Sequence, residues 1–221
     1  MARSTTLTWL CVPAALLVFG AVHPASGTTR SWKFDVTLDG RHIGEHHFTL
    51  RQSGELQELR SEARFAVRIL FFEAYRYEHD AHERWQGDCL QQLDARTNDN
   101  GKRREVRGVR DGDDFEVVTA DSTRQLARCV RSFAYWNQDV LLAASSLLNP
   151  QTGEYVNVRV ERLGREGFGP EGQPAERLRL SAVETDAAKL RPIELWYTTD
   201  KEWLALESIT ADGRRLRYSR K

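Results

Sequence analysis

Five histidines, two cysteines and a dense set of aromatics are the residues of this sequence that could do chemistry outside its first 27 positions. His42, His46, His47, His79 and His82 raise the question of a metal. A strand sends residues three apart to opposite faces, so His79 and His82 in "EHDAHE" diverge, as do the adjacent His46 and His47. Only a cross-strand pairing such as His46 with His79 would converge, and the register that decides it is not written in the sequence. No metal or cofactor set is therefore read from it. Nucleophilic catalysis needs a placed Ser or Cys. There is no GxSxG elbow, Ser145 and Ser146 sit in an apolar run, and the cysteines lack CxxC spacing. The 32 acids make chance carboxylate pairs plentiful, so spacing alone identifies no glycosidase pair. No catalytic residue is assigned.

The aromatics say more. Trp32, Trp85, Trp136, Trp196 and Trp203 lie beyond residue 27, with Phe and Tyr beside them on the same strand faces. They read either as a large core or as the lining of a cavity for an apolar ligand. The residues expected to line such a cavity are Trp32, Phe34, Tyr77, Trp136, Leu141 and Trp196, with Phe168 at its rim.

Strands must position these side chains. In "RSWKFDVTLDG", Trp32, Phe34, Val36 and Leu38 alternate with polar residues, which is the period of a half-buried strand. Asp39-Gly40 then signals a hairpin. Gly44 interrupts the return strand, which carries Phe48 and Leu50, and suggests a bulge or a close backbone approach. "ARFAVRIL" and "AYRYEHDAHERW" repeat the alternation, the second placing Tyr75, Tyr77, His79, Ala81 and Trp85 on one face. Turns at Asn100-Gly101, Asp111-Gly112, Asp200-Lys201 and Asp212-Gly213 continue it. The expectation is about nine or ten strands in a long curved antiparallel sheet, a half-barrel or open barrel with one apolar and one charged face.

Such a sheet needs a cover, and "FAYWNQDVLLAASSLLNPQTGE" offers one. Trp136, Val140, Leu141, Ala144, Leu147 and Leu148 fall near helical spacing, Asn137 can cap the start, and Pro150 and Gly153 end it. The spacing predicts a helix of about ten residues on or inside the sheet. "GREGFGPEGQPAE" reads as a hairpin tip or as a lid over a cavity mouth.

Residues 1–27 read as a secretory signal peptide, with Arg3, an apolar run from Leu7 to Val22 and small residues Ala25 and Gly27 before the cleavage point. The remaining 28–221 read as a single β-rich domain, periplasmic or secreted, with no membrane span of its own. Removing the leader takes one base and no acid, leaving 31 basic against 32 acidic residues and no global pull toward nucleic acid. In an oxidising compartment the two remaining thiols, Cys89 and Cys129, favour one disulfide.

The segments "WKFDVTLDGRHIGEHHF", "FAYWN", "LLNPQTGE" and "ELWYTTDKEWLALES" resemble an uncharacterised family of secreted bacterial proteins, a domain of unknown function. The resemblance covers essentially all of the chain after the leader and implies no activity. The layout is similar, more loosely, to half-barrels of the lipoprotein-carrier type. The functional expectation is non-enzymatic binding of a lipid or other apolar molecule between sheet and helix. An envelope scaffold or assembly partner without a ligand is the alternative, and a hydrolase without a recognisable motif comes third.

Overall fold

The structure is a computed structural model, and it describes residues 27–69, 72–127, 129–186 and 190–221. The expected signal peptide, apart from Gly27, lies outside the described residues. Fourteen strands follow one another in the order β8-β7-β6-β5-β4-β3-β2-β1-β14-β13-β12-β11-β10-β9, each hydrogen-bonded to the next and all antiparallel. The sheet is long and not closed. The long strands are β1 (Thr28–Leu38), β2 (Arg41–Ser53), β3 (Leu56–Ile69), β4 (Phe72–Gln86), β5 (Cys89–Asp99), β6 (Lys102–Asp111), β10 (Tyr155–Phe168) and β11 (Gln173–Ala182). Shorter ones are β7 (Asp114–Val118), β8 (Thr123–Ala127), β9 (Ser146–Leu148), β12 (Ile193–Thr198), β13 (Trp203–Ile209) and β14 (Arg215–Arg220). The excess over nine or ten comes from short strands such as β7, β8 and β9, whose few residues carry too little alternation to count as separate runs.

The turn chemistry accounts for the up-and-down order. Asp39-Gly40 and Asn100-Gly101 both take positive φ at both positions, the geometry of the tight turn that matches strand twist. Lys201 also has positive φ, in the four-residue connection 199–202 between β12 and β13. Gly44 sits at a register shift between β1 and β2, where a Cβ would lie 1.9 Å from the carbonyl oxygen of Arg64. Only glycine fits, and the bulge re-aims the residues on either side of it.

Register stacks the inward side chains in layers. One layer runs Trp32, Phe48, Ser61, Ala81, Ala95, Val106 across β1 to β6. The next runs Phe34, His46, Ala63, His79, Thr97. The small residues at the centre of β3 to β5 leave room for the chain between β8 and β10, which covers this part of the inner face.

That cover differs from the expected helix. Asn137 does cap it, its Oδ1 accepting from the Val140 amide at 3.2 Å. The helix α1, however, is only Gln138–Leu142. Leu147 and Leu148 belong instead to β9, which pairs with Tyr155–Asn157. Five residues cannot hold a helix alone, and the backbone beyond Ala144 gains more partners as an edge strand. α1 is pinned by Gln138 donating to Glu176 at 2.6 Å and Lys201 donating to Asp139 at 2.7 Å.

Residues 130–132 join β5 to the edge strand β9. The Leu90 amide donates to the Val130 carbonyl at 2.9 Å, the Leu148 amide to the Arg131 carbonyl at 2.7 Å, and Ser132 bridges Leu148. The Cys89–Cys129 disulfide fastens the same crossing. Its loop of 40 residues predicts a stabilisation of about 4 kcal/mol from loop entropy.

Candidate functional site

The inner face holds a continuous wall of rings. Trp203 touches Phe34 (centroids 4.3 Å apart), Phe48 (5.1 Å) and Tyr135 (5.5 Å). Tyr218 continues the wall from Phe34 (6.1 Å) to Phe65 (6.1 Å), and Phe65 stacks on Tyr77 at 5.3 Å with the planes 12° apart. His46 stacks on Phe48 at 4.0 Å and meets Tyr218 at 5.6 Å. Alternation on β1 to β4 and β14 delivers these rings to one side, while Tyr135 comes from the crossing segment.

Set into the wall are a few neutral polar groups. The His46 ring meets the Ser61 hydroxyl at 2.7 Å through Nε2 and the Tyr218 hydroxyl at 3.3 Å through Nδ1. The His79 ring meets the Thr97 hydroxyl at 2.9 Å. Burial favours the uncharged imidazole, so His46 titrates well below the usual histidine range and His79 near 4. Burial likewise raises the hydroxyls of Tyr77, Tyr135 and Tyr218 above the ordinary phenol value. The Tyr135 carbonyl accepts from the Tyr197 hydroxyl at 2.8 Å. The Tyr77 and Tyr135 hydroxyls themselves have no hydrogen-bond partner among the described residues, yet both residues keep part of their surface accessible. The indole N–H groups of Trp32 and Trp136, both buried, also lack acceptors among the described residues.

Ser61 and His46 form a hydroxyl–imidazole pair, but burial weakens the imidazole as a base, and the group beyond it is a tyrosine rather than a carboxylate. A second interior site lies lower. Glu83 is buried on β4, accepts from the Ser132 hydroxyl at 2.9 Å and the Trp85 indole at 2.9 Å, and has no cation beside it among the described residues. Burial raises its carboxyl to about 7 against the relief those hydrogen bonds give.

The expected ligand residues do not all meet. Phe34 and Tyr77 are in the wall, and Trp32 is one layer away. Trp136 packs edge-on against Trp85 at 5.8 Å, and Leu141 is fully buried in α1. Trp196 and Phe168 are on the opposite, outer face, their rings 5.9 Å apart. Trp196 pairs with Arg177 and Ala205, whereas its neighbours Leu195 and Tyr197 point inward. The segment read as a hairpin tip or a lid is a hairpin tip: β10 and β11 pair up to Phe168 and Gln173, and residues 169–172 turn between them. Phe168 closes β10 beside Trp196, away from Phe34 and Tyr77.

Sequence reasoning weighed His46 only as a cross-strand metal partner of His79 and Trp203 only among the aromatics, and it did not single out Tyr135, Tyr218 or Phe65. Alternation puts His46 beside Phe48 and Leu50, and it puts Glu83 beside Ala81 and Trp85. His46 and His79 share a layer but stand two strands apart, with Ala63 between them, and their ring nitrogens meet Tyr218, Ser61 and Thr97. The outer face carries grooves lined by alternating charge. One of about 410 Å³ is flanked by Arg60, Glu62, Asp80, Asp94 and Arg96.

Comparison with known proteins agrees with this architecture. Residues 34–221 match the family model of a domain of unknown function, DUF6134, and the chain belongs to that family. No curated protein matches it. Among solved structures it is similar to a β-barrel-like protein of the domain of unknown function DUF1849 from Brucella abortus, with a TM-score of 0.64 and 8% identity. That likeness covers 86% of this chain and 94% of the other, and it shows the fold alone.

Proposed function

We propose that this member of a family of unknown function is a non-enzymatic carrier of one small apolar molecule that has a hydrogen-bonding head. The molecule lies against the aromatic wall of Phe34, Phe65, Tyr77, Tyr135, Tyr218 and Trp203. The observation that carries the reading is the pair of desolvated tyrosine hydroxyls, Tyr77 and Tyr135, with no partner among the described residues. A site of aromatic faces with a few convergent polar groups is the usual composition of a small-molecule pocket. The disulfide is in keeping with a periplasmic or secreted location, where thiols oxidise.

Native mass spectrometry of the protein purified from a bacterial envelope fraction, before and after organic extraction, tests this. A bound mass that leaves on extraction is expected. Titration with the apolar probe N-phenylnaphthylamine should then saturate at one equivalent. Tyr77→Phe and Tyr135→Phe should each weaken an extracted hydroxyl- or carbonyl-bearing ligand about fivefold, the worth of one hydrogen bond. A clean apo mass, unchanged after incubation with envelope lipids, overturns the proposal. A scaffold role would then gain weight from β8, which ends the sheet with no strand on its far side among the described residues.

A further inference from the structure

On the outer face, β1 and β2 oppose two carboxylates directly: Asp35 and Glu45 are register partners. Like charges set opposite each other across a strand pair repel. The register shift at Gly44 adds a third group. Residues three apart on a regular strand face opposite ways, yet His42 and Glu45 share this face because the bulge lies between them. The result is one imidazole nitrogen and two carboxylate oxygens within 4.8 Å of one another, from Asp35, His42 and Glu45. The His42 ring already meets Asp35 at 3.2 Å. His47 holds the far oxygen of Glu45 at 2.8 Å and so fixes that carboxylate's orientation.

A cation already sits at this point. The Lys221 ammonium lies 3.2 Å from Asp35 and 2.5 Å from Glu45, between the two carboxylates. Both pairs are exposed, so the lysine is held weakly and can swing away. Nitrogen and oxygen ligands around a tetrahedral zinc stand roughly 3.3 Å apart, which small side-chain rotations from the present spacing reach.

We propose that Asp35, His42 and Glu45 form a surface site for a divalent transition ion of the zinc class, with Lys221 as the built-in competitor for its position. Three protein ligands leave the fourth position to water. His47 acts on Glu45 as the outer partner that orients a ligating carboxylate. One imidazole with carboxylates selects zinc, cobalt or nickel over magnesium and calcium, which prefer all-oxygen shells.

Isothermal titration of the leaderless chain with zinc chloride tests the assignment, with cobalt(II) absorbance reading the geometry. One saturable equivalent is expected, with an intense visible band for four-coordinate cobalt. His42→Ala and Glu45→Gln should each weaken uptake at least about tenfold, and Lys221→Met should tighten it several-fold. All three positions are solvent-accessible, so the variants should fold, and unchanged far-ultraviolet spectra check that. An unchanged isotherm in His42→Ala, or no saturable uptake by Lys221→Met at millimolar zinc, overturns the proposal.

Discussion

Trp203 and Trp196 stand on neighbouring strands, one on each face of the sheet. Trp203 is fully buried among Phe34, Phe48 and Tyr135, and its N–H donates to the Ala205 carbonyl at 3.0 Å. Trp196 is nearly as buried but is covered by Phe168 and Arg177, and its N–H donates to the Glu166 carboxylate at 2.6 Å. The inner ring is held by other rings in a close-packed layer. The outer ring is held by long charged side chains that cover it with their stems. Burial alone would make the two equivalent; what does the burying sets them apart.

The inner face carries neutral polar groups whose protonation is set by desolvation. The outer face carries ions in networks, such as Arg177 and Arg179 on Glu194, which holds that carboxyl below its usual range despite some burial. Sheet stability therefore rests on packing on one side and on exposed, salt-sensitive pairs on the other.

Truncation should separate the two faces most sharply. Trp203→Ala is expected to cost about 3–5 kcal/mol, the usual range for emptying a tight aromatic site. Trp196→Ala should cost only about 1.5–3 kcal/mol, because the charged stems can collapse onto the gap. Urea unfolding at equal m-values measures both, and equal losses would break the distinction.

Glu83 gives the next largest effect. Its folded carboxyl titrates near 7, against 4.5 for an ordinary glutamate. The folded state thus binds the extra proton, so its stabilising contribution is full below about pH 4.5 and is lost as pH rises through about 7. The shift corresponds to a loss on the order of 3 kcal/mol across that window. Glu83→Gln should flatten this part of the curve and equal or exceed the parent at pH 8. Midpoints of urea unfolding from pH 4 to 8 test it, and an unchanged slope in the variant would remove Glu83 as the cause.

The smallest effect belongs to the outer ions. Glu194→Gln should cost up to about 1 kcal/mol in low salt and almost nothing at 1 M salt, since partly exposed pairs are screened. A loss of several kcal/mol that survives high salt would mean the outer face is as tightly built as the inner one.

Much of the architecture was legible because strands have a period of two. Trp32, Phe34 and Val36 point inward, as their alternation required. Asp39-Gly40 and Asn100-Gly101 turn where a primed turn needs positive φ. The site was less legible. Trp196 carries the same residue type as Trp203, and composition cannot say which face a strand position takes after the register shift between Trp196 and Tyr197. Leu147 and Leu148 fit helical spacing, yet pairing with β10 made them strand. A short apolar run lacks enough residues to choose its own period.

The sequence by itself determined an antiparallel sheet with one apolar face, its principal hairpin turns and a pair of thiols available to staple it, because alternation, turn propensity and cysteine count are local properties. Tertiary structure alone decided that Tyr135 joins Trp203, that Glu83 meets Ser132, and that a bulge turns His42 toward Asp35. These contacts depend on register and on where the crossing segment lies. Those are set by the packing of residues far apart in the chain, and no local pattern encodes them.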